Sequence, residues 1–435
     1  MNFISINENI GLLSKNTVEE LGGIINDYIS KIYKYGIDDI DMNTELGVLL
    51  VLAEAREFFN NREQCDEFVW EIMSAIREQI YKGYYINRLG LCEGLCNVAS
   101  VTRFYYTKTN YYSKFLSALE EMIINETEKR LQLLNQMSYQ QRASIHFDVI
   151  YGMSGIAQYL LKTNEKAILF EISNYLCALT NQISYKGKKV PGWFVEHNNI
   201  IGKIEKNCFK TGEINYGMAH GITGVLAVLI KIAKKNINVG QVEKAMANIV
   251  KELEKAKQVS DLTCFPEIVS PEDYINNNFY ENYNTRMSWC YGSITILYVL
   301  HAYYQYKQDE EKCKCIIDEL IKIAEQGNKC WKLYSPIVCH GFAGTAHIFK
   351  LLYKKTGDPI IKMAYEKLIR NTIVSYNANY KYGFRDIYYE DGDRNKLKKE
   401  DKNTFLEGGS GIISVILGFL SEMEGVSSLL ILDLD

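Results

Sequence analysis

The sequence predicts an all-α protein, an α/α toroid in which six inner and six outer helices close into a ring, and three observations carry that expectation. Proline is scarce, at 5 of 435 residues, so long stretches lack the residue that breaks the i→i−4 hydrogen-bond ladder. Apolar residues recur at helical spacing in several segments. A short glycine motif returns six times along the chain.

The helical segments follow from local chemistry. Val242, Ala245, Met246, Ile249, Val250 and Leu253 form a stripe on one helix face. Ile316, Ile317, Leu320, Ile321 and Ala324 form another, with Gly327 placed to end it. Asp358 and Pro359 supply an N-cap and a first-turn proline for a helix running on through Ile360 and Ile361. Strand-like alternation is rare. The exception is 183–215, where Val190-Pro191-Gly192-Trp193-Phe194-Val195 interrupts the helical pattern. This segment is expected to be a small irregular or β-containing insertion within one domain spanning 1–435.

The glycine motif is an aromatic or polar residue, then Gly-x-x-Gly, then an apolar run. It reads Tyr151-Gly152-Met153-Ser154-Gly155, His220-Gly221-Ile222-Thr223-Gly224, His340-Gly341-Phe342-Ala343-Gly344 and Glu407-Gly408-Gly409-Ser410-Gly411. Weaker copies at Gly94 and Gly292 lack the second glycine. Successive copies lie 49 to 71 residues apart, enough for two helices and their loops. Six such hairpins predict the ring, with the glycines opening the inner helices and gathering their N-termini at one mouth.

Composition excludes several functions. Hydrophobic residues make up 47% of the chain and charged residues 23%, which opposes general disorder. A net charge of −4 without a basic cluster argues against nucleic acid as a partner. Met1 to Lys15 does not read as a signal peptide, and no run is apolar enough to span a bilayer. A cytoplasmic protein is expected, with its 11 cysteines largely unpaired.

Three motif copies carry a cysteine two residues before the first glycine: Cys92, Cys290 and Cys339. The Cys290 and Cys339 copies are consecutive, so the ring makes them neighbours. With His340 they offer two thiols and one imidazole, a set that suits zinc with a fourth position open. Helix N-termini there favour the thiolate form. Cys92 is the odd one out. Cys65, Cys96, Cys177, Cys208, Cys264 and Cys330 read as structural, as does Cys92 itself. Cys313 and Cys315 read as solvent-facing or half-buried on a charged helix. His146, His197, His301 and His347 match no motif.

Gly-Met-Ala-His-Gly-Ile-Thr-Gly (217–224), Ser-Trp-Cys-Tyr-Gly (288–292), Cys-His-Gly-Phe-Ala-Gly (339–344) and Glu-Gly-Gly-Ser-Gly (407–411) resemble motifs of the lanthionine synthetase C-like family. The nearest resemblance is to its stand-alone lantibiotic cyclases, and it runs from about residue 45 to the C-terminus. It implies an α/α toroid, one Zn2+ ion held by Cys290, Cys339 and His340, and thioether ring formation on a dehydrated precursor peptide of leader plus core. Cysteine thiols add to dehydroalanine or dehydrobutyrine, giving lanthionine or methyllanthionine.

The same resemblance makes His220 the acid/base, Asp148 the residue that orients it, and Arg286 and Tyr291 further active-site residues. Coordination to zinc would deprotonate the peptide thiol, Arg286 would stabilise the enolate, and His220 would protonate the α-carbon. A separate dehydratase and an export transporter are expected partners, the latter consistent with a place at the inner face of the membrane. The chain departs from the family where Gly-Ser-Ile-Thr (292–295) replaces the usual Gly-x-Pro-Gly. Two other readings stand: a toroid that binds a peptide or thiol without catalysis, and a glycosidase with paired carboxylates.

Overall fold

The computed structural model describes residues 3–5, 12–36, 45–259, 262–279, 286–390, 396–421 and 425–435. The chain forms two compact units. One comprises Met1–Arg88, Asn97–Ser117 and Leu333–Leu430, the other Leu89–Cys96, Ala118–Lys332 and Ile431–Asp435.

Helices dominate both units, and two kinds alternate. Helices led by the glycine motif are buried nearly all round: every residue of Met153–Leu160 and of Gly409–Leu420 is buried. The helices that follow them are amphipathic. Val239–Ala256 buries Val242, Ala245, Met246, Ile249, Val250 and Leu253, the stripe expected from sequence, and exposes charge on its other face. Glu310–Gln326 buries Ile316, Leu320 and Ala324 and stops at Gly327, whose φ of 61° suits glycine. Asp358 caps Pro359–Val374 by accepting from the amides of Ile360 and Ile361.

In the first unit the helix Glu45–Ala55 lies against Gly409–Leu420, and Phe342–Thr356 pairs with Pro359–Val374. In the second, Ile222–Lys234 packs against Val239–Ala256, Met153–Leu160 and Ser293–Tyr306. The C-terminal residues belong to this unit: Leu432 O accepts from the Tyr298 hydroxyl at 2.9 Å, and Lys231 Nζ meets Asp433 at 2.6 Å.

Each glycine motif is a loop folded back on the first turn of its helix. A Cβ at Gly155, Gly224, Gly344 or Gly411 would collide with the carbonyl six residues earlier, that of Val149, Met218, Val338 or Phe405. A hydroxyl in the same turn fastens the loop by donating to the carbonyl seven residues back: Ser154 to Phe147 at 2.6 Å, Thr223 to Tyr216 at 2.6 Å and Ser410 to Asn403 at 2.7 Å. In the Cys290 copy Thr295 stands at the second-glycine position. Its own hydroxyl donates to Ser288 O at 3.0 Å, so Gly-Ser-Ile-Thr still opens a helix, Ser293–Tyr306.

The segment expected to be irregular or β-containing holds both kinds of structure. Gln182–Tyr185 pairs antiparallel with Lys188–Pro191 around a left-handed Lys186-Gly187 turn. A short helix, Lys203–Cys208, follows, and Ile214–Asn215 then pairs with Ile268–Val269. A second hairpin, Asp386–Tyr389 with Leu397–Glu400, has no counterpart in the sequence reading. Its second strand is exposed throughout and so lacks the apolar alternation that marks a half-buried strand.

Candidate metal centre and acid–base site

Cys290 sits in the tight turn that opens Ser293–Tyr306. The turn closes on Gly292, whose φ of 146° lies where side chains are strained. Cys290 is 5% exposed, and Ser288 Oγ lies 3.7 Å from its sulfur. Its carbonyl accepts from the Met218 amide at 2.9 Å, which ties this turn to the loop carrying His220. Cys339 and His340 immediately precede Phe342–Thr356, and the Cys339 amide donates to Leu406 O at 2.9 Å.

One ligand atom from each of Cys290, Cys339 and His340 lies within 4.8 Å of the others. A tetrahedral ion with bonds of about 2.0–2.3 Å spaces its donors by roughly 3.3–3.8 Å, inside that limit. Two soft thiolates and an imidazole suit zinc and leave one coordination position for an outside ligand. The donor set therefore fits the metal.

The surroundings of His340 add residues that sequence reasoning missed. Asp386 is 2% exposed, with Oδ1 lying 3.8 Å from His340 Nε2. The same oxygen accepts from Ser335 Oγ at 3.0 Å, and Oδ2 accepts from Lys402 Nζ at 3.0 Å. Lys402 also reaches Glu407 at 2.9 Å. A buried carboxylate beside one ring nitrogen leaves Nδ1 of His340 available to a metal.

The second centre is His220 with Asp148. Asp148 is fully buried, and both of its oxygens are committed. Oδ1 accepts from the amides of Tyr151 and Gly152 at 2.7 and 2.8 Å, and Oδ2 lies 2.6 Å from His220 Nδ1. With Nδ1 held by the carboxylate, Nε2 is the atom that exchanges protons. Burial alone disfavours the imidazolium. The Asp148 hydrogen bond and charge, with lesser help from Cys290 and Glu205, outweigh it and hold the pKa above its ordinary value.

His220 and Tyr291 line a cavity of about 200 Å³. The Tyr291 hydroxyl accepts from Asn215 Nδ2 at 2.9 Å, and burial pushes its pKa up. The ring of Tyr151 stacks on that of His220 with centroids 6.4 Å apart.

The family model for lanthionine synthetase C-like proteins matches residues 39–431. The chain belongs to the lanthionine synthetase C-like family. Nisin biosynthesis protein NisC of Lactococcus lactis subsp. lactis is 24% identical over 407 residues, 88% of this chain and 86% of that protein. The structure of nisin cyclase aligns with a TM-score of 0.76 at 19% identity, covering 97% of this chain and 99% of that one. The shared fold is the α/α toroid that the six glycine-led helices predict.

Within this lanthionine synthetase C-like chain, the folded structure joins the three residues expected as ligands, and it joins His220 to Asp148. Tyr291 is drawn to Asn215 rather than to a charged group. Arg286 is half-buried, with its carbonyl packed on Gly292 at the start of the Cys290 turn. Cys92 stays outside the cluster, its thiol pushed well up by burial. No two of the 11 cysteines form a disulfide. Other histidines serve the scaffold: His347 Nε2 pairs with Ser427 Oγ at 2.8 Å, and His197 Nδ1 with Phe209 O at 3.0 Å. Among the described residues no helix is long and apolar enough to cross a membrane.

Proposed function

We propose that the protein closes thioether rings in a dehydrated peptide, adding cysteine thiols to dehydroalanine or dehydrobutyrine to give lanthionine or methyllanthionine. The observation that carries this reading is the convergence of Cys290, Cys339 and His340 in a chain that also pairs His220 with Asp148. These three residues would hold zinc. When bound, zinc supplies the Lewis acidity that lets a peptide thiol lose its proton near neutral pH.

The chain's own groups account for the rest. As sulfur bonds to the β-carbon, the carbon–carbon double bond opens and charge moves onto the neighbouring carbonyl oxygen. Arg286 and Tyr291 are the donors assigned to that charge. His220, protonated with Asp148 behind it, delivers a proton from Nε2 to the α-carbon. The proton lost from the thiol restores the balance, so the product is an isomer of the substrate.

A binding protein without catalysis would have little use for a histidine whose proton is held ready by a buried carboxylate. The glycosidase reading gives the group of Cys290, Cys339 and His340 no use. The peptide would arrive dehydrated by a separate enzyme and leave by an exporter, with the work done in the cytoplasm. The test is incubation of the purified protein with a dehydrated, cysteine-containing peptide, followed by thiol alkylation and mass measurement. Loss of alkylatable thiols at unchanged peptide mass is the expected result. Bound peptide with every thiol still reactive would favour the binding protein.

A further inference from the structure

The cavity beside His220 is lined by two carboxyl groups that take no step in the reaction above, Glu205 and Glu213. Glu213 is 4% exposed, and its Oε2 has no hydrogen-bond partner. Its backbone is fixed, exchanging amide–carbonyl hydrogen bonds of 2.8 and 2.9 Å with Val195. A buried carboxyl oxygen left without a partner is costly, and a second carboxyl in the same small space adds repulsion. No lysine or arginine is among the described residues lining the cavity, and His220 is engaged with Asp148. The walls near the carboxyls include Ile200 and Ile201, the latter 57% exposed.

Acidic groups at depth and aliphatic walls are complementary to one kind of side chain, a long aliphatic stem ending in a cation. We propose that this cavity is a specificity subsite for a lysine or arginine of the peptide substrate, Glu213 and Glu205 taking the cationic head and Ile200 and Ile201 the methylene stem. The proposal rests on the cyclase reading only in naming a peptide as the ligand. Because His220 and Tyr291 line the same cavity, the cationic residue lies next in sequence to the dehydro residue being protonated. Burial and Glu205 push the Glu213 carboxyl up to about 7, with His220 opposing. An incoming cation stabilises the charged form and so gains from the mismatch.

The experiment compares two synthetic peptides that differ only in carrying lysine or norleucine beside dehydroalanine. Norleucine keeps the stem and removes the ammonium. Each is also made with serine for the reacting cysteine and a fluorescent label, so that anisotropy reads binding without ring closure. The wild-type protein is expected to bind the lysine peptide about tenfold more tightly. Glu213→Gln, and with it Glu205→Gln, should shrink that preference to about twofold or less, and the Glu213→Gln protein should continue to close rings on the norleucine peptide. Equal affinity of the wild type for both peptides would overturn the subsite, as would a full preference surviving in both variants. The wild-type comparison stands even if a variant folds poorly. Binding preference without any ring closure would instead count against the cyclase reading and leave the subsite in place.

Discussion

Replacing Asp386 with asparagine tests whether the buried network behind His340 serves a metal. The substitution keeps shape and volume, and the new amide oxygen can still accept from Ser335 Oγ, now at 3.0 Å. It removes the carboxylate 3.8 Å from His340 Nε2 and turns an NH2 group or a neutral oxygen toward Lys402. Lys402 keeps Glu407 at 2.9 Å. Its pKa stands above the ordinary value because Glu407 and Asp386 more than offset burial, so one strong partner remains and the cost to folding should be about 1–2 kcal/mol. The cost to zinc should be larger in proportion. Carboxylates that orient and polarise a ligating histidine are worth about 10–100-fold in affinity, or roughly 1.4–2.7 kcal/mol. Competition with a chromophoric chelator measures this directly, and cobalt substitution, with its thiolate-to-metal absorption, shows whether both cysteines still bind. An affinity within about twofold of wild type, in a folded protein, would refute the argument that Asp386 acts on the metal through His340.

Further expectations can be checked with the same protein. Cys339→Ala should lose stoichiometric zinc on elemental analysis and lose ring closure while keeping its helical circular dichroism. His220→Ala should keep zinc and slow ring closure by about 10²–10⁴-fold, read as thiol consumption over time. Asp148→Asn should lower the His220 pKa, seen by NMR titration of the imidazole, since the partner that overcomes burial is gone. Glu213→Gln should change the pH dependence of stability. A carboxyl raised from 4.5 to about 7 on folding means the native state binds more protons between those values. Its contribution is thus fully present at low pH and fades as pH rises toward 7, a loss of roughly 3 kcal/mol at most. Thermal melts at pH 5 and pH 8 should therefore differ less in the variant than in the wild type.

Much of this protein was legible in the order of its residues. The glycine copies marked where inner helices begin, because a residue without a Cβ lets the preceding loop press onto the first helical turn, as Val338 O does over Gly344. The stripe from Val242 to Leu253 marked an outer helix, because burial of one face demands that spacing. Cys290, Cys339 and His340 stood out because each occupies a repeated place just ahead of a motif glycine and their two copies are consecutive in the repeat, as the Cys92 copy is not. Other contacts came only with the folded chain. Asp386 reaches His340, and Glu213 and Asn215 reach the cavity of His220, from a hairpin strand and an insertion that carry neither the glycine motif nor a helical period. Nothing along the chain ranks such residues above any other surface acid or amide. Their role arises when tertiary packing removes water from them and leaves a particular neighbour, whether a ring nitrogen, a hydroxyl or an empty space, as the partner each must find.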